Sequence, residues 1–132
     1  MIIKSIKEVM KKAKLVLIID DDNRNIFALR LALKSRGYQS LSCNSAQEGL
    51  ELLDKNSDIE IVLMDMMMPD MDGYEAIQVI GASKNYGHIP VIAVTAQAMQ
   101  GDREKCLEAG ARAYVPKPID LDLLIRIIEQ NS

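Results

Sequence analysis

The stretch EIVLMDMMMPDMDG, residues 60–73, runs from a continuous apolar segment, Ile61-Val62-Leu63-Met64, straight into an aspartate. After Asp65 come three methionines, a proline and two further acids, ending at Gly73. A strand apolar on successive residues has both faces covered, which is the signature of a parallel sheet packed between helices. A carboxylate at the end of such a strand sits where open parallel sheets collect their ligands, just beyond the strand's carboxyl end. Asp65 is therefore the first candidate for chemistry, and the ends of the other strands are the next places to look.

Working outward, short apolar runs alternate with helix-period segments along the chain, the pattern of consecutive βα units. Before the quoted stretch, Leu15–Ile19 reads as a strand, followed by a helix from Asn25 to Arg36 carrying Ile26, Leu29 and Leu33, with Gly37 as its stop. Tyr38–Cys43 reads as a second strand, and Ser45-Ala46-Gln47-Glu48 is a capping box opening a helix to about Asp54. After it, a third helix spans Tyr74 to about Ala82, Val91–Val94 is the fourth strand, and a helix from Gln100 to Ala109 stops at Gly110. Arg112–Val115 is the last strand, and Asp120 caps a helix whose Leu121, Leu124, Ile125 and Ile128 form one apolar stripe. Pro69 is expected to stiffen the loop after Asp65, and Gly73 to supply an unusual backbone angle at its end.

A chain of 132 residues suffices for one domain with a buried core. Sixteen Lys+Arg against 19 Asp+Glu give a formal charge of −3, which argues against a protein that coats nucleic acid. Cys43 and Cys106 lack metal or CxxC spacing and read as small buried residues of a reducing, cytoplasmic setting. The apolar runs are too short to cross a membrane, and the amino-terminal residues lack the apolar core of a signal peptide. The domain is expected over residues 14–130. Residues 1–13 read as an extension, helical by the stripe Ile3, Ile6, Met10, Ala13, beside Lys4, Lys7, Lys11, Lys12 and Lys14. That extension is expected to pack on the domain, a basic membrane- or partner-docking arm being the alternative.

Four of the five strand ends carry reactive groups: Asp20-Asp21-Asp22, Asp65, Thr95 and, through Pro116, Lys117. If the central strands are neighbours, Asp20, Asp21 and Asp65 converge. Such a cluster must hold a proton at raised pKa or be neutralised by a hard divalent cation. Oxygen-only ligands with room for waters favour Mg²⁺, and the single His88 makes zinc improbable. Lys117 and the Thr95 hydroxyl can hold oxygens of an acyl phosphate on Asp65, so that catalysis reduces to positioning around a nucleophilic aspartate. Met66, Met67 and Met68 are read as packing residues, their thioethers being poor ligands for Mg²⁺. Met67 and Gln97, each two residues beyond a reactive position, are expected to flank the path of a hydrolytic water without activating it.

The motifs IIDDDNRN (18–25), LMDMMMPDMDG (63–73), PVIAVTAQAM (90–99) and AYVPKPID (113–120) together resemble the receiver domain of two-component response regulators, over about residues 14–130. The resemblance implies a flavodoxin-like, doubly wound α/β fold: five parallel strands in the order 2-1-3-4-5 with helices on both faces. Strand five, with Pro116, is then an edge. The resemblance further implies that Asp65 is the phosphoacceptor and that Asp20, Asp21, Asp65 and the Met67 carbonyl hold Mg²⁺. Thr95 and Lys117 would contact the phosphoryl oxygens, Thr95 and Tyr114 would form the switch, and the Lys117-Pro118 bond would be cis. The donor would be a sensor histidine kinase or histidine phosphotransfer protein. The output would be a downstream protein or second copy docking on the last two helices and last strand, with no direct nucleic-acid binding and no membrane insertion. Such a module is cytoplasmic and catalyses only its own phosphorylation and dephosphorylation.

A haloacid-dehalogenase-like phosphatase would want an acid two residues after the nucleophile, where Met67 stands. A flavodoxin-type flavin site would want small residues where Asp20-Asp21-Asp22-Asn23 stand. GDREKCLEAGA (101–111) and MMMPDMDGYEAI (66–77) are similar to receivers attached to hybrid histidine kinases, so a module from such a chain is the alternative to the expected free-standing regulator.

Overall fold

A computed structural model describes residues 14–68, 71–96 and 101–131. The strands are β1 (Leu15–Ile19), β2 (Gln39–Cys43), β3 (Ile59–Asp65), β4 (Val91–Thr95) and β5 (Ala113–Pro116). Between and after them lie the helices α1 (Asn23–Ser35), α2 (Ala46–Lys55), α3 (Gly73–Ala82), α4 (Asp102–Ala109) and α5 (Leu121–Gln130). All strand pairs are parallel, in the order β2-β1-β3-β4-β5. The expected architecture is thus the observed one, and its edges are β2 and β5.

Side-chain alternation along the central strands feeds two separate cores. Val16 and Ile18 of β1 and Ile61 and Leu63 of β3 face α1 and α5, packing with Ile26, Leu33, Leu124 and Ile128. Leu17 and Ile19, with Val62 and Met64, face the opposite way, toward Leu53 of α2, Ile77 and Ile80 of α3 and Cys106 of α4. Because both faces are covered, β3 and β4 are apolar at nearly every position, and this is what made them legible as buried strands.

Helix ends follow local chemistry. Asp22 caps α1 by accepting the Arg24 amide at 2.9 Å, so the helix begins two residues earlier than its apolar periodicity predicts. At the other end Gly37 has φ +88°, and the Tyr38 and Gly37 amides donate to the Leu33 and Lys34 carbonyls, each at 3.0 Å. That is a Schellman stop, and it buries Tyr38 against the end of α1. The Ser45 side chain accepts the Glu48 amide as the capping box requires.

Gly73 departs from expectation: its φ is not positive. A Cβ there would stand 2.9 Å from the Met66 Cα and 2.8 Å from the Met66 side chain, so close approach and not backbone angle selects glycine. Pro116 occupies β5 beside Thr95, on the outermost strand, where a missing donor is tolerated. The Lys117-Pro118 bond is cis. The readings of residues 1–13, Pro69, Gln97 and a helix start at Gln100 fall outside the described residues; α4 is described from Asp102.

Candidate functional site

The β2-β1-β3-β4-β5 order makes β1, β3 and β4 contiguous, so their carboxyl ends meet. Asp20, directly after β1, and Asp65, the last residue of β3, are both buried, while Asp21 beside them is exposed. One carboxylate oxygen from each of the three lies within 4.8 Å of the others. Asp22 is apart from this group, spent on capping α1.

Each buried acid is held by a local amide. The Asp22 amide donates to Asp20 Oδ1 at 2.9 Å, and the Met67 amide to Asp65 Oδ1 at 3.0 Å. The second oxygens face Lys117, whose Nζ stands 3.5 Å from Asp65 Oδ2 and 3.7 Å from Asp20 Oδ2. Lys117 is carried there by β5, and its own amide donates to the Thr95 carbonyl at 2.8 Å. Burial pushes the Asp20 carboxyl above its ordinary value, the Asp22 amide opposes that rise, and the charge of Asp65 adds to it. One ammonium between buried like charges leaves the group short of positive charge. Hard cations are bound by oxygen donors of this kind.

Thr95, the last residue of β4, is buried at the same carboxyl edge of the sheet. Tyr114, two residues before Pro116, is half-buried, and its hydroxyl is pushed up by burial first and by Asp102 second. It belongs to a small cluster joining α3, α4 and β5. Cys106 is the buried residue of α4, with the Tyr74 hydroxyl hydrogen-bonded to its thiol, and Lys105 lies 5.5 Å over the Tyr74 ring. Burial pushes the Cys106 thiol up, consistent with a packing role.

The three methionines part company. Met68 is buried and Met66 half-buried, but Met67 is 49% exposed, so its side chain is not the packing residue the sequence implied. Its backbone is the part fixed at the site, through the amide bonded to Asp65.

Sequence reasoning passed over the end of β2. Asn44 follows that strand as Asp20 follows β1, and its Nδ2 donates to the Asp20 carbonyl at 3.2 Å and to Asn23 Oδ1 at 2.6 Å. Its strand-end position was the available signal. On the α1 side a cavity of about 600 Å³ reaches from Asp20 and Lys117 to Ala28, Leu29, Ile119 and Leu121. It presents an apolar wall next to the acids.

The sequence model of the response regulator receiver domain matches residues 16–129. The chain belongs to that family. It is 34% identical over 116 residues to the polar-differentiation response regulator DivK of Brucella ovis, covering 88% of this chain and 94% of that protein. Among solved structures it is similar to the receiver domain of the sensor histidine kinase PA1611 from Pseudomonas aeruginosa, at 33% identity and TM-score 0.81 over 89% of this chain and 96% of that one. That receiver has a magnesium ion coordinated in its active site cleft. A CheY-like response regulator receiver domain protein from Methanospirillum hungatei is 32% identical, with TM-score 0.79 over 90% and 94% of the two chains. Membership makes this chain a receiver module of two-component signalling. Among the described residues no helix is long and apolar enough to cross a membrane.

Proposed function

We propose that residues 14–130 form a receiver that accepts a phosphoryl group on Asp65 from a histidine kinase or histidine phosphotransfer protein and signals by changing shape. The observation that carries this reading is the meeting of three carboxylate oxygens within 4.8 Å with the Lys117 ammonium 3.5 Å from Asp65. The donor set is oxygen-only and suits Mg²⁺, with Asp20, Asp21, Asp65 and the Met67 carbonyl as its holders. Bound there, Mg²⁺ supplies positive charge to the acids and to the oxygens of the incoming group.

In the transfer, an Asp65 carboxylate oxygen forms the new bond to phosphorus. The phosphorus–nitrogen bond of the donor's phosphohistidine breaks, and the imidazole nitrogen keeps the electron pair and takes up a proton. Lys117 and the Thr95 hydroxyl hold two of the phosphoryl oxygens, so the protein contributes placement and charge and no separate nucleophile. The apolar cavity between α1 and Ile119 offers the donor a wall adjacent to the acids. Once Asp65 is phosphorylated, Thr95 turns toward the new oxygens and Tyr114 moves inward, remodelling α4, β5 and α5 for a downstream protein or second copy. The donors of such groups place the module in the cytoplasm, and its catalysis is confined to its own phosphorylation and dephosphorylation.

Incubation with acetyl phosphate and Mg²⁺, followed by intact-mass measurement, tests the reading. One added phosphoryl group is expected, absent in Asp65→Asn. Full labelling of that variant would remove Asp65 from its role.

A further inference from the structure

Two of the three clustered carboxylates, Asp20 and Asp21, stand on the short segment 20–23 that leads from β1 into α1, so the shape of this segment decides where they point. Asp20 is tied by the Asp22 amide and by Lys117, and Asp22 by the Arg24 amide. Asp21 is exposed, and among the described residues its carboxylate takes no hydrogen bond or ion pair. Its direction follows from the backbone that carries it. Mg²⁺ demands a near-ideal octahedron, so a small displacement of either carboxylate weakens a site of this kind.

On the reading of Asp20, Asp21 and Asp65 as cation holders, we infer that Asn44 is a positioning residue of that site, a staple that fixes segment 20–23 from the neighbouring strand. Asn44 follows β2 directly, and its Nδ2 donates to the Asp20 carbonyl at 3.2 Å and to Asn23 Oδ1 at 2.6 Å. These two anchors flank Asp21 and Asp22 in the chain. A backbone carbonyl can only accept, so the Asn44 amide must present its NH₂ group there, and both of its N–H bonds then meet an acceptor. An aspartate at this position could donate to neither and would add a further acid beside the cluster. The staple has a firm base, because the Asp20 amide donates to the Cys43 carbonyl at 3.1 Å and so extends the β1–β2 ladder to the residue before Asn44. Asn44 itself is exposed, so its removal costs the fold little; what it governs is the placement of the carboxylates.

Calorimetric titration of the full chain with MgCl₂ provides the test. Asn44→Ala is expected to raise the Mg²⁺ dissociation constant ~10-fold, the usual cost of losing an outer contact to a ligating residue. Asn23→Ala should weaken binding less, since the bond to the Asp20 carbonyl remains. The double variant should be no weaker than Asn44→Ala alone, because both side chains act through one staple. Ser45→Ala is the control for a merely structural role: Ser45 caps α2 from the same loop, so its loss should lower the unfolding midpoint and leave Mg²⁺ affinity unchanged. An unchanged dissociation constant in Asn44→Ala would overturn the positioning role and leave the cation site standing. So would equal losses of affinity in Asn44→Ala and Ser45→Ala, or losses that multiply in the double variant. A wild type that binds no Mg²⁺ would overturn the cation site, and the role of Asn44 with it.

Discussion

Met64 and Asp65 are neighbours on β3 and both are buried, at 0% and 3% exposure, yet burial acts on them in opposite directions. Met64 sits among Leu17, Ile19 and Ile77, where removal from water is the driving force. Asp65 is one residue further, against a second buried acid and one lysine, where removal from water is a cost. The same step separates Ile19, the last residue of β1, from Asp20 directly after it. The sheet's middle therefore holds the fold together, and its carboxyl edge is a region of stored electrostatic cost that a cation can relieve. Stability and function are divided along each strand, not between different elements.

Changes on either side of the boundary should differ in sign. Met64→Ala opens a cavity among fully packed neighbours and should lower unfolding stability by about 2–5 kcal/mol in a denaturant titration. A loss below about 1 kcal/mol would mean that this end of β3 collapses freely and that the division is blurred. At the edge, Mg²⁺ at a hundredfold excess over its dissociation constant should stabilise the wild type by about 2.7 kcal/mol by mass action. Asp21→Ala should lose most of that gain at the same concentration; an undiminished gain would remove Asp21 from the cation site.

Asp65→Asn, measured without divalent cations, should raise stability by about 1 kcal/mol, because one of two facing buried charges is gone while the amide can still accept from Met67. A fall of similar size would show that the Lys117 contact outweighs the repulsion. The smallest effect concerns pH. The folded Asp20 carboxyl titrates above its ordinary 3.8, chiefly through burial. Between 3.8 and the raised value the native state keeps a proton that the unfolded chain has released. That contribution is complete below 3.8 and is lost as pH rises through the raised value, so the metal-free protein should weaken across this window. Asp20→Asn should flatten the slope, and added Mg²⁺, which competes with protons for the carboxylates, should oppose it. An equal slope in Asp20→Asn would assign the effect to other groups.

A second contrast separates the helices beside β5. Leu124, Ile125 and Ile128 bury α5, which Asp120 caps, whereas Cys106 is the buried residue of α4, whose N-cap Gly101 makes no side-chain cap bond. A lightly anchored helix next to Tyr114 is a suitable moving part, since mobile elements come from the less stable end of a structure.

By itself the sequence determined the alternation of strands and helices, because the apolar period differs between elements buried on two faces and on one. It also marked Asp20, Asp65, Thr95 and Lys117, because their polarity breaks or follows apolar runs at strand ends. Local pattern grouped Asp20 and Asp21 with Asp65 but could not say which of the two is buried, nor give Asp22 a partner. Tertiary structure assigned one to the buried cluster, one to its exposed side and one to the cap of α1. It likewise brought in Asn44, placed Met67 in water and made Gly73 a matter of contact with Met66. The reason is physical: periodicity reports which face of an element is dry, while ion pairing, capping and close approach depend on residues far away in the chain, which only the packed sheet brings within a few ångströms.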